Sequence, residues 1–115
     1  MNPEVKKKWI EALKSREYDQ GVGGLCVGDR FCCLGVLCDL HARETNKAWD
    51  HQVGIERGAA RYCGCRNYLP QEVMEWAGLK SENPVVGGND RQALANLNDG
   101  GYSFSSIANL IEENL

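Results

Sequence analysis

Val5, Trp9 and Leu13 recur at the spacing of one helical face, with Ile10 and Ala12 beside them, which predicts a helix over 3–15. Asn2 can accept from the free N–H groups of a first turn, Pro3 suits the first helical position, and Glu4 complements the positive helix end. The glycine-rich stretch from Tyr18 to Arg30 has no helical period. Gly28-Asp29 sits there between two short apolar runs, as a two-residue hairpin requires, so Leu25–Val27 and Arg30–Cys32 are its expected strands. FCCLGVLCDLH then places Leu34, Leu37, Cys38 and His41 on one side and Cys33, Val36 and Leu40 on another. A helix apolar nearly all round belongs in the middle of the core, and it is expected from about Cys33 to Arg43.

Residues 44–67 keep no period and read as a surface excursion, a length uncommon without a task; within and after it, Tyr62–Leu69 is the expected strand. Pro70 opens a short helix with Val73, Trp76 and Ala77 inward and Gly78 as its left-handed stop. Asn83-Pro84-Val85-Val86 reads as extended. Asp90 is the expected cap of a helix that buries Leu94 and Leu97 and closes at Asn98-Asp99-Gly100-Gly101. Ser103 caps a last helix striped by Phe104, Ile107, Ala108, Ile111 and Leu115. The sum is an α+β domain of four or five short helices around a small antiparallel sheet or hairpin, a single unit over 1–115.

Composition narrows the function. With 115 residues, 43% apolar and 25% charged, the chain buries roughly two thirds of its surface, enough for one core. No run of 18 apolar residues occurs, so no membrane association is expected, and MNPEVKKKWIEAL carries charges where a signal peptide needs an apolar stretch, so the expected location is cytoplasmic. A net charge of −3 speaks against nucleic acid as a partner.

Six cysteines ask for an explanation. In a reducing compartment the choices are a metal or plain burial. Zinc prefers paired ligands, whereas Cys32-Cys33 are adjacent and Cys63-Gly-Cys65 is a lone pair, so buried free thiols are expected and no metal. Cys38 and His41, one turn apart with Asp39 close by, have the spacing of a nucleophile and base; helical neighbours of this kind are common, and no catalytic residue is assigned. Glu112 and Glu113 oppose the dipole of the last helix unless a positive group, from the chain itself or a neighbouring subunit, lies near.

The glycine turns at Gln20-Gly-Val-Gly-Gly, Gly87-Gly88-Asn89-Asp90 and Asn98-Asp99-Gly100-Gly101 match neither a P-loop nor a dinucleotide fingerprint. Beside such loops, however, lie Tyr18, Trp49, Tyr62, Tyr68 and Tyr102, with Arg57, Arg61, Arg66 and Arg91 close in sequence. Rings that stack a base and guanidinium groups that fork onto phosphate are the parts of a nucleotide pocket. The plainer alternative is that the rings line the core and the arginines are solvated.

WIEALKSREYDQG, FCCLGVLCDL, YLPQEVMEWAGL, NPVV and LANLNDGGYSFSSIANLIEENL together resemble a family of small phage and prophage proteins. The resemblance covers most of the chain except 44–61. Tyr18, Gln20, Gly21, Trp76, Asn83, Pro84, Asn98 and Asp99 match the family pattern, whereas Tyr62-Cys-Gly-Cys departs from it, which weakens the zinc reading further. The family pattern carries no activity. By analogy with phage proteins that soak up nucleotide immune signals as compact oligomers, it implies a homo-oligomeric binder, without cofactor, of an ADP-ribose-derived or cyclic nucleotide in the infected host. The expected pocket comprises Tyr18, Gln20, Trp49, Arg57, Arg61, Arg66, Tyr68, Asn98 and Asp99. Two alternatives stand beside it: an inhibitor that binds a host nuclease or CRISPR complex, for which −3 is a thin charge, and a nucleotide-cleaving enzyme, which needs a base or metal.

Overall fold

A computed structural model of the chain describes residues 1–51, 58–88 and 90–115. The α+β class holds: among the described residues five helices pack with two small sheets. Helix α1, Pro3–Lys14, starts where the sequence signals it, with the Asn2 side chain accepting from the N–H groups of Glu4 and Val5; it buries Val5, Trp9, Ala12 and Leu13. Its main partner is α5, Phe104–Asn114, which Ser103 caps by accepting from the Ser106 N–H and which buries Phe104, Ile107, Ala108 and Ile111. The opposed dipole of α5 is answered from within the chain, because the Lys6 Nζ donates to the Glu112 carbonyl at 3.0 Å.

Between these elements runs α2, Cys33–Thr45, in which every residue from Cys33 to Cys38 is buried, as its all-round apolar character requires. Trp9 Nε1 donates to the Cys33 carbonyl at 2.9 Å, fastening α1 to the start of α2. Gly35 is the contact point with the strand region: a β-carbon there would lie 1.8 Å from the Leu25 carbonyl oxygen.

The hairpin forms at the expected place. Strands β2, Cys26–Val27, and β3, Arg30–Phe31, pair antiparallel with Cys26 opposite Phe31 and Val27 opposite Arg30. Gly28, at φ +66°, occupies the first position of the turn, where only glycine is unstrained. Two further strands complete a four-stranded sheet of order β1-β3-β2-β4, namely β1, Asp19–Gln20, and β4, Ala59–Ala60. The small antiparallel sheet and hairpin are present, and one parallel pair is added, because β1 runs parallel to β3.

Two local expectations are also corrected. Tyr62–Leu69 is not a strand: Tyr62 and Cys65 exchange both backbone hydrogen bonds, at 2.8 and 2.9 Å, around a two-residue turn. Cys63 at φ +49° and Gly64 at φ +83° give that turn its left-handed backbone, and the strand falls earlier, at Ala59–Ala60. The end of the 44–67 segment is accordingly drawn into the fold, with Ala60 and Tyr62 fully buried.

Asp90 does not cap the fourth helix. Strand β5, Val85–Val86, instead pairs antiparallel with β6, Gln92–Ala93, which runs straight into α4, Leu94–Asp99. The cap comes from further back, the Asn83 Oδ1 accepting from the Ala95 N–H at 3.0 Å. Helix α3, Gln71–Ala77, follows Pro70 and stops at Gly78, φ +71°. Trp76 packs half-buried against the core, its Nε1 donating to the Glu44 carboxylate.

Candidate functional site

The chain leaving the Cys63–Gly64 turn is held at both ends. The Leu25 N–H donates to the Arg66 carbonyl at 2.7 Å and the Leu69 N–H to the Glu82 carbonyl at 3.0 Å, so Arg66–Tyr68 bridge the start of β2 and the approach to β5. One side of this bridge is a hollow of about 360 Å³ lined by Arg61, Cys65, Arg66, Asn67, Tyr68 and Glu82. A second hollow, of about 140 Å³, is lined by Gly23, Gly24, Cys32, Asn67, Tyr68, Ala95, Asn96 and Asp99. Asn67 and Tyr68 belong to both walls, and Tyr68 is 41% exposed. The larger hollow falls at the low end of the range of small-molecule sites, about 300–1,000 Å³.

The two hollows differ in charge. The first is lined by two guanidinium groups and the Glu82 carboxylate, whereas the second has Asp99 among the amides of Asn67 and Asn96. Arg61 Nη1 donates to the Gly64 carbonyl and Arg66 Nη1 to Asn67 Oδ1, each at 3.5 Å, the outer limit of a hydrogen bond. Four of the nine sequence-selected residues, Arg61, Arg66, Tyr68 and Asp99, are thus brought together here.

The others are placed elsewhere. Tyr18 is buried and its hydroxyl donates to Asp39 Oδ2 at 2.6 Å, while Trp49 Nε1 donates to Asp39 Oδ1 at 3.0 Å. Phe31 stands between the two rings in edge contact with both, and Arg43 lies over the Tyr18 face. Burial and the bond to Asp39 push the Tyr18 hydroxyl well above the ordinary tyrosine range. Gln20 and Asn98 form a polar tie: Asn98 Oδ1 accepts from Gln20 Nε2 at 2.9 Å and from the Cys33 N–H at 3.2 Å, while its Nδ2 donates to the Gly21 carbonyl at 2.8 Å and to Asp99 Oδ1 at 3.2 Å. Asn98 is 1% exposed, so its hydrogen-bonding groups serve the fold directly beside the second hollow. Arg57 lies outside the described residues.

Burial works against nucleophilic use of the cysteines of the core. Burial drives the thiols of Cys33 and Cys38 well up and that of Cys32 to about 11, the reverse of what thiolate chemistry needs. His41 does not serve Cys38: its Nδ1 shares a 2.6 Å hydrogen bond with the Tyr62 hydroxyl, and burial lowers its affinity for a proton. Cys63 is exposed yet raised to about 11, by desolvation first and then by its bond to Glu72. Among the described residues, no three His, Cys, Asp or Glu side chains gather as a metal ion would require. No helix described is long and apolar enough to cross a membrane.

Asn67, Asn96 and the Gly23–Gly24 backbone escaped the sequence reading. They are small polar or featureless loop residues with no periodic signal, and only the glycine turn at 20–24 hinted at them.

Residues 1–115 match the model of a family described as "Domain of unknown function (DUF8296)", and the chain belongs to that family. No curated protein and no solved structure matches it.

Proposed function

We propose that this chain binds a small nucleotide in the paired hollows at Asn67–Tyr68 and holds it without cleaving it. The observation that carries the reading is the convergence there of Arg61, Arg66, the half-exposed Tyr68 ring and Asp99. Guanidinium groups pair with phosphate, an accessible phenol ring offers a stacking face, and a carboxylate accepts from hydroxyl or amino groups. The inert thiols and the engagement of His41 by Tyr62 favour capture over turnover. The resemblance of its sequence motifs to phage and prophage proteins favours, as the captured molecule, an ADP-ribose-derived or cyclic nucleotide signal of bacterial defence, removed by stoichiometric binding. A homo-oligomer is the proposed working form.

Thermal shift and isothermal titration with a nucleotide panel test this, together with mass spectrometry of the ligand released after incubation. The expected result is saturable binding, recovery of the ligand intact, and loss of most affinity in Arg61→Ala and Tyr68→Ala. Recovery of a hydrolysed product would transfer the protein to the enzyme class. A host protein that co-purifies while every nucleotide fails to bind would make it a protein-directed inhibitor.

A further inference from the structure

The Cys63-Gly64-Cys65 turn takes no part in the nucleotide binding proposed above, and its two thiols differ from the other four. Cys26, Cys32, Cys33 and Cys38 are buried, whereas Cys63 is exposed and Cys65 half-buried. The chain reverses tightly at this point. Tyr62 and Cys65 exchange both backbone hydrogen bonds, and between them Cys63, at φ +49°, and Gly64, at φ +83°, have left-handed backbone. No peptide bond among the described residues is cis, so successive Cα atoms lie about 3.8 Å apart. Two such steps around a turn of roughly a right angle at Gly64 bring the Cα atoms of Cys63 and Cys65 to about 5.5 Å, the favoured separation for a disulfide.

The two side chains also face the same way. Cys65 stands opposite Tyr62 across the bridge, so these two share a face, and the Tyr62 hydroxyl is hydrogen-bonded to His41 Nδ1 at 2.6 Å. The Cys63 thiol donates to Glu72, whose Oε2 lies 3.9 Å from His41 Nε2. Both cysteines are therefore on the His41 side of the turn. They act on one another there: after desolvation and Glu72, the Cys65 thiol adds to the rise of the Cys63 thiol.

We propose that Cys63 and Cys65 form a dithiol oxidation site, which closes to an intrachain disulfide by exchange with a low-molecular-weight disulfide such as oxidised glutathione. The Cys63 proton is held at Glu72, so the first attack falls to Cys65. Its sulfur bonds to one sulfur of the reagent, breaking that S–S bond and expelling one thiolate. Cys63 then attacks the Cys65 sulfur, breaks the mixed disulfide and expels the second thiolate. The two thiol protons end on the two expelled thiolates, so the chain is oxidised by two electrons and the reagent is reduced by the same two. A loop this short gains little from closure, and the bridge is exposed, which makes it the readily reduced kind. Cys65 also lines the larger hollow, so closure alters the wall it shares with Arg61 and Tyr68.

The test incubates the full chain, reduced and then freed of reductant, with oxidised glutathione, alkylates the remaining thiols, and reads the intact mass and the tryptic peptides. The expected product carries no glutathione and has lost two hydrogen atoms to a bridge within the tryptic peptide Tyr62–Arg66, which contains these two cysteines alone. The four buried thiols are expected to be alkylated instead, and dithiothreitol to restore the starting mass. In Cys65→Ser the bridge is expected to be absent. A lasting glutathione adduct on either cysteine of the unmodified chain, no oxidation at all, or a bridge to another cysteine or between chains would overturn the proposal. The deciding measurements use the unmodified chain and no nucleotide, so neither misfolding of a variant nor failure of nucleotide binding obscures them.

Discussion

Gly35→Ala asks whether the close approach of α2 to the strand region is real. In an ordinary helix this substitution gains about 1 kcal/mol, because alanine is the better helix former. Here the new β-carbon would sit 1.8 Å from the Leu25 oxygen and 2.7 Å from its carbonyl carbon, whereas real contacts of this type essentially never fall under 3.0 Å. The backbones must therefore separate by about 1.2 Å. Leu25 has little room to move: it is fully buried, its carbonyl accepts from the Cys32 N–H at 3.2 Å, and its N–H holds Arg66. Overpacking against side chains costs typically about 1–3 kcal/mol, and an obstacle made of main chain belongs at the upper end. A net loss of about 2–3 kcal/mol is expected after the helix gain, lowering Tm by roughly 10 °C in a chain of this size. Urea unfolding followed by circular dichroism measures it, with Gly24→Ala as control, since its added carbon would have its nearest neighbours at 3.4 Å. A Gly35→Ala protein as stable as the parent, or more so, would refute the packing described.

Other substitutions address the polar interior and the thiols. Asn98→Ala strands the buried Cys33 N–H and the Gly21 carbonyl, and an expected loss of about 2–4 kcal/mol would appear as a lower urea midpoint. His41, held neutral mainly by burial among Tyr62, Trp76, Glu72, Glu44 and Lys47, has its folded pKa below 6.5. The unfolded chain therefore binds more protons between the two values, and stability is expected to fall as pH drops from about 6.5 through the folded pKa, with a shallower slope in His41→Gln. A thiol-reactive disulfide reagent at pH 8 is expected to reach Cys63 and Cys65 in the native protein, Cys63 slowly because its thiol is raised to about 11, and all six cysteines in urea, because the other four are buried. Rapid native labelling of Cys33 or Cys38 would contradict the interior described.

Where a signal is local, the sequence is legible. Asn2, Ser103 and Gly78 act within a turn of the helix ends they mark, and each is found in that role. The Gly28-Asp29 hairpin succeeds for the same reason. Asp90 misleads because at the start of α4 the Ala95 N–H is met by Asn83, twelve residues away, and the Leu94 N–H by the Pro84 carbonyl, both brought near by the β5–β6 pairing. Tyr62–Leu69 misleads because its aromatic and apolar residues imitate a strand, while Cys63 and Gly64 reverse the chain. The site shows the same division. Arginines and aromatics are visible as residue types, but not whether folding exposes them. Tyr18 and Trp49 go to Asp39 and Asn98 to the α2 terminus, while Arg61, Arg66 and Tyr68 line the hollows.

The pairing of α1 with α5 has a consequence for how the protein comes into being. As the chain leaves the ribosome, α1 emerges well before α5, in which it finds its main packing surface. The nascent N-terminal segment must therefore wait with its Val5 and Leu13 face incompletely covered, open to chaperones until synthesis reaches Phe104 and beyond.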